Sequence, residues 1–263
     1  MTTTDAPPGA GPAAPAGAPR TALRRQVARA GKLARLLVRA EYRRALVRGV
    51  AAAVEHERLD LPDDIATVLD VGANRGQFAL VAAHRWPRAR IVCFEPLPVA
   101  RRRLDAVVAR IPLAAVRGVA LAESAGEVPM HLARADDSSS LLPISARQAE
   151  LFPGTDEVGV LRVRAARLDT EVGPDDLLGP VLLKIDVQGG ELGVLRGAVG
   201  VLDAVAVVLV ECSFVELYSG QPLAHEIVAF LAAHGLVLAG AGLPTTDGRG
   251  RVVQQDLVFR RAP

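Results

Sequence analysis

Thr67-Val68-Leu69-Asp70-Val71-Gly72-Ala73-Asn74-Arg75-Gly76, with Gln77 to Ala83 behind it, is the stretch on which the fold turns. Thr67 to Val71 is a near-continuous apolar run without polar alternation, and it predicts a strand buried on both faces, as in parallel sheets. Gly72 falls where strand becomes loop, Asn74 where a positive φ is needed, and Gly76 where a helix begins and backbone must approach a ligand. The spacing is G-x-N-x-G. It differs from the G-x-G-x-x-G of dinucleotide sites, where a pyrophosphate rests on a helix N-terminus.

Outward from this turn, apolar runs alternate with helical stretches. Ile91 to Phe94 ends at Glu95, Val181 to Ile185 ends at Asp186, and Val205 to Val210 ends at Glu211. Helices are expected at Gly76 to Ala83, Arg101 to Ala109, Glu191 to Ala198 and Leu223 to His234, with further strands at Ala115 to Val119, Leu236 to Leu238 and Asp256 to Phe259. That grammar is an α/β fold with a mostly parallel, doubly wound sheet. Between residues 126 and 170 it weakens into hairpin-like pieces, Val128 to Leu132 and Val160 to Val163, around the polar loop Asp136 to Ser140. This segment reads as an insertion in a domain spanning 61–263.

Carboxyl ends of parallel strands form the ligand crevice of such a sheet, so Glu95, Asp186, Glu211 and the neighbouring Asp70 converge where chemistry is expected. Glu95, 25 residues after Asp70, is placed to accept both hydroxyls of a ribose. S-adenosylmethionine carries no phosphate; its ammonium and carboxylate can be met by an acid and by loop amides. Asp70 fits the ammonium, directly or through water.

The 263 residues are 50% hydrophobic and 23% charged, enough for about one or two domains with a core. Two cysteines, Cys93 and Cys212, both in or beside apolar runs, exclude a disulfide scaffold and point to reduced thiols and the cytoplasm. No run of about 18 apolar residues exists for a membrane span, and the first residues lack a signal-peptide pattern. The net charge of +2 hides an asymmetry: residues 1–50 hold 10 basic and 2 acidic side chains. Residues 1–20, rich in Pro, Ala and Gly, predict a disordered leader. Residues 21–60 predict a basic amphipathic helical extension with an apolar stripe at Leu23, Val27, Ala30, Ala34 and Leu37, bent or split at Gly31. Such a helix can pack on the acidic main domain, or dock peripherally on an anionic membrane or a nucleic acid. Aromatic residues make up only 3% of the chain, which argues against a nucleic-acid partner read by base stacking.

The strings VLDVGANRGQFAL, FEPLP, LLKIDVQGGELGVLRGA and VECSFVELY, with a closing QQDLVF, resemble the FkbM family of S-adenosylmethionine-dependent methyltransferases over roughly residues 45–260. The resemblance implies a class I, Rossmann-like methyltransferase fold with a C-terminal antiparallel strand. It further implies O-methylation of a hydroxyl on a polyketide, sugar or glycolipid, with Gly72, Asn74 and Gly76 lining the cofactor loop and Glu95 taking the ribose. The basic leader lies outside the family pattern.

Methyl transfer from a sulfonium to an alcohol is an in-line displacement that demands orientation and removal of a proton. Asp186, ending the strand expected beside the glycine turn, is the first candidate base, with Glu211 and His131 behind it. Asp186 and Glu211 could instead share a divalent cation that acidifies the hydroxyl, though two carboxylates without a third ligand are a sparse set. Glu191 opens a helix, where the dipole favours an acid without catalytic work. Lys184 is one of only two lysines, against 29 arginines, and a compact ammonium is expected near Asp186 or Glu211. Two rival readings are an RNA methyltransferase docking through the basic helix and a non-catalytic scaffold that binds the cofactor.

Overall fold

The computed structural model describes residues 31–173 and 177–262. The expected leader, and Leu23, Val27 and Ala30 of the expected stripe, lie outside the described residues. The central sheet is built on strands β1 (Thr67–Val71), β2 (Arg90–Phe94) and β3 (Ala114–Arg117), with short β4 (Ala120–Leu121) leading out of it. Hairpin strands β5 (Gly126–Ala133) and β6 (Glu157–Ala166) follow, then β7 (Val181–Ile185) and β8 (Val205–Ser213), and finally β9 (Leu236–Ala241), β10 (Thr245–Thr246) and β11 (Val252–Arg261). Their order in the main sheet is β10-β11-β8-β7-β1-β2-β3, with β9 also on β11. From β3 to β8 every pairing is parallel, whereas β11 runs antiparallel to β8 and closes the sheet at the C-terminus.

The chain leaves β1 toward β2 on one side and returns as β7 on the other, so the topological switch point lies between β1 and β7. A crevice is therefore dictated beyond Val71 and Ile185. Strand β1 is buried along its whole length, as its unbroken apolar run requires. One face packs Leu69, Val71, Leu183 and Val208 beneath helices α6 (Glu191–Arg196) and α7 (Ala224–Ala233). The other packs Val68, Ile91, Leu182 and Leu209 beneath α2 (Gln77–Arg85) and α3 (Pro98–Val108). Each such side chain contributes about 1.5 to 3 kcal/mol by leaving water. Helices α4 (Ala146–Leu151) and α5 (Leu168–Glu171) flank the β5–β6 hairpin, which pairs with β4 in a separate three-stranded sheet.

The described part of the extension corrects the expected stripe. Residues 31–38 are helical and α1 (Ala40–Val47) follows after a break at Arg39, with extended φ −98° and ψ 132°; the chain before Gly31, and with it the expected bend there, lies outside the described residues. Within residues 31–38 Leu36 is buried while Ala34 and Leu37 face solvent, and beyond the break Tyr42 and Ala45 are buried. Tyr42 donates its hydroxyl to Glu57 at 2.9 Å, and Lys32 meets Glu55 at 2.9 Å, tying the segment to the 3₁₀ turn Val54–Arg58. No helix among the described residues is long and apolar enough to cross a membrane.

Candidate active site

Beyond β1 the backbone enters the left-handed region three times, at Gly72 (φ +76°), Asn74 (+46°) and Gly76 (+91°). A Cβ on Gly72 would lie 1.8 Å from the carbonyl oxygen of Asp186, so only glycine lets the β1 turn close against the end of β7. Asn74 tolerates a positive φ better than most residues. Its backbone N–H donates to Glu95 Oε2 at 2.9 Å, and the Leu97 N–H donates to Oε1 at 2.7 Å. Glu95 is thus fixed, both oxygens retaining acceptor capacity, at the end of β2. Burial raises its carboxyl from 4.5 to about 7, against the pull of those two N–H donors.

A cavity of about 450 Å³ opens at the switch point, bounded by Gly72, Asn74, Glu95, Met130, Asp136 and Asp186. The side-chain oxygen of Asn74 is buried on its wall without a hydrogen-bond partner, an orphaned acceptor of the kind a bound ligand satisfies. Ala53 and His56 from the N-terminal extension complete another wall.

Asp70 does not line this cavity. Register sets Asp70 opposite Lys184 on the parallel neighbour, and the sealed carboxylate, 0% exposed, meets the Lys184 ammonium at 3.1 Å. Lys184 also donates to the Gly72 carbonyl at 3.1 Å and lies 3.6 Å from Asp186. Burial alone would lower the lysine, but Asp70 and Asp186 outweigh it and hold the ammonium charged. Burial pushes Asp70 up while Lys184 pulls it back. A ligand ammonium, which Asp70 is expected to meet directly or through water, would find this carboxylate already engaged with Lys184 in an ion pair beneath the loop.

Asp186 follows β7, and its side chain, 38% exposed, stands on the cavity wall. Gln188, at φ +57°, donates its amide to Asp186 Oδ1 and to Glu211 Oε2, each at 2.8 Å. The Tyr218 hydroxyl sits 2.9 Å from Gln188 Oε1 and 3.0 Å from the Ser138 carbonyl. Glu211 accepts a further bond from Gln254 at 3.1 Å, is absent from the cavity wall, and has its carboxyl raised by burial and by the neighbouring Asp186 and Asp256. One amide therefore occupies the space between the two carboxylates. They do not fit a shared cation as they stand, because the cation would have to displace Gln188 from both.

His131 is not brought to the site. Alternation along β5 turns Met130 to the cavity and His131 to the opposite face, where its Nδ1 meets Glu157 at 2.9 Å. The serine loop is tied within the insertion and to the turn after β7: Ser139 accepts from the Ala133 N–H at 3.1 Å, and Ser140 donates to the Gln188 carbonyl at 2.6 Å. Glu191 accepts the Gly189 N–H at 2.8 Å and holds the turn after β7, a structural role. Sequence reasoning missed three participants: Gln188, Tyr218 and the Arg75–Asp136 ion pair at 2.5 Å, which clasps the glycine loop to the insertion. Gln188 and Tyr218 lay inside the family-like strings, but nothing local to either marks a bond across 30 residues.

A glycine loop, a buried acid after the next strand and one shared cavity at the switch point are the layout of class I S-adenosylmethionine-dependent methyltransferases. The chain belongs to the FkbM methyltransferase family: the model described as Methyltransferase FkbM domain matches residues 70–238. The 2-O-methyltransferase NoeI of Sinorhizobium fredii is 28% identical over 185 residues, covering 68% of this chain and 75% of that protein. The AMB antimetabolite synthetase AmbE of Pseudomonas aeruginosa is 39% identical over 165 residues, which are 52% of this chain but only 8% of that much longer protein. Among solved structures, precorrin-6y C5,15-methyltransferase from Geobacter metallireducens GS-15 aligns over 80% of this chain and 86% of its own, with 15% identity and a TM-score of 0.42.

Proposed function

We propose that the protein transfers a methyl group from S-adenosylmethionine to a hydroxyl of a sugar, glycan or polyketide-type natural product. The observation that carries this reading is the convergence of Glu95, the orphaned Asn74 oxygen and the half-exposed Asp186 carboxylate on one cavity. S-adenosylmethionine, when bound, supplies a methyl group on a cationic sulfur. Glu95 accepts the ribose hydroxyls, and Asn74 offers its oxygen to a donor of the cofactor. Gly72 and Gly76 let the backbone approach. Asp70 acts at one remove, by holding Lys184 and through it the Gly72 carbonyl. Asp186 takes the acceptor proton, oriented by Gln188, whose amide is held by Tyr218. The name of the relative NoeI supports oxygen as the methylated atom. The buried free thiols of Cys93 and Cys212 support a reducing compartment such as the cytoplasm.

Incubating the protein with isotopically labelled S-adenosylmethionine and a metabolite and glycan extract, then locating the label by mass spectrometry and NMR, tests the reading. A label on oxygen is expected. Asp186→Asn keeps shape but loses the proton acceptor, so incorporation should fall about 10²- to 10⁴-fold with cofactor binding nearly unchanged. A label on nitrogen or carbon, or an active Asp186→Asn variant, would refute the assignment.

A further inference from the structure

We propose a second binding site, between α1, α2 and the C-terminal end of α3, for a single-chain amphiphile with an anionic head. The cavity there measures about 430 Å³, within the range of small-molecule sites, and shares no lining residue with the cavity at the switch point. Its floor is aliphatic, formed by Leu80, Ile91, Val107 and Ile111. None of the lining side chains is an amide or a hydroxyl, the groups that read a sugar or a base. The one indole, Trp86, is 3% exposed and offers no face for stacking. An alkyl chain suits these walls; a nucleoside or a sugar does not.

The charged groups give the head its sign. Arg44, Arg48 and Arg110 are exposed lining residues, and none of them is paired with a carboxylate among the described residues. Arg48 spends one N–H on the Arg44 carbonyl at 3.0 Å. The only acid of the lining, Glu41, faces His84 at 3.1 Å. Three guanidinium groups around an apolar floor favour a carboxylate or phosphate head, which arginine meets with paired, charge-assisted hydrogen bonds. A free alkyl phosphate and an anionic lipid of a bilayer offer the same chemistry.

Calorimetric titration of the full chain with hexyl, octyl and decyl phosphate, each below its micelle-forming concentration, tests the site. One-to-one binding is expected, tightening about fourfold per methylene, since each buried CH₂ is worth about 0.8 kcal/mol. Inorganic phosphate and decanol should each bind at least about tenfold more weakly than decyl phosphate, because each lacks one half of the recognition. Arg44→Glu with Arg110→Glu should weaken binding at least about tenfold. Ala106→Trp, at an exposed lining position, should do the same by filling the cavity, both variants melting as the parent does. Sedimentation with vesicles of anionic phosphatidylglycerol separates the sources: co-sedimentation lost in the variants assigns a bilayer lipid, and its absence beside tight decyl phosphate binding assigns a free amphiphile. No saturable decyl phosphate binding, a series flat in chain length, or indifference to both variants would overturn the proposal.

Discussion

Glu95 shows how burial sets the terms of binding. Its carboxyl is pushed from 4.5 to about 7 because it is buried, and ribose hydroxyls donating to it favour the ionised form. Binding should therefore release up to about one proton near pH 6, and affinity for S-adenosylmethionine should rise with pH and level off above about 7. Titration in buffers of different ionisation enthalpy measures that proton directly. Glu95→Gln should abolish the release and cost about 1 to 3 kcal/mol of binding at pH 8; a variant with parental affinity would remove Glu95 from the ribose role. Gly72 can be tested against Gly154, since both have positive φ but only Gly72 is crowded. Gly154→Ala should cost about 1 to 3 kcal/mol of strain, and Gly72→Ala about 2 to 6 because the Asp186 carbonyl must also move. Equal denaturant midpoints would disprove the close approach. Both the glycine turn and Glu95 were legible from local spacing, because turn geometry is a local property. His131 was misplaced because one step along a strand reverses the face, and sequence does not say which face meets the cavity.

At the scale of elements, each long apolar run was read as a strand and became one, because burial on both faces leaves few alternatives for Leu69 or Leu183. The extension was harder. Its periodicity is interrupted at Arg39, and ahead of that break Leu36, one residue before the expected Leu37, is the buried side chain. Tyr42, fully buried beside Leu36, Val54 and Leu80, fastens this segment to α2. Tyr42→Ala should cost about 3 to 5 kcal/mol, the scale for emptying a buried aromatic site. Because Tyr42 anchors α1, protease cleavage between residues 39 and 58 should accelerate in the variant. Unchanged cleavage and an unchanged urea midpoint would show that the extension is held elsewhere.

Across the whole molecule, the buried ionisable groups share one sign. Burial raises Glu95 and Glu191 from 4.5 to about 7 and also raises Asp70 and Glu211. His56 is raised as well: burial lowers it, but the Asp256 carboxylate, 3.3 Å away and reached from β11, outweighs that effect. A group whose folded value lies above its unfolded one stabilises fully below the unfolded value and ceases to do so as pH rises through the folded one. For Glu95 and Glu191 that window runs from 4.5 to about 7, and for His56 it begins at 6.5 and extends upward. Asp169 and Asp247, lowered by Arg167 and Arg251, act oppositely, but their contribution is lost only as pH falls below 3.8 toward their folded values. The protein should therefore melt at a higher temperature at pH 5 than at pH 8. Glu191 alone accounts for about 3 kcal/mol of that difference at order of magnitude. Glu191→Gln imitates the protonated acid and still accepts the Gly189 N–H, so it should flatten the profile, chiefly by raising stability at pH 8. Melting curves at half-unit pH steps decide the matter. A parent protein as stable at pH 8 as at pH 5, or a Glu191→Gln profile as steep as the parent's, would mean that these acids find water or counter-charge in solution that the packed fold does not show.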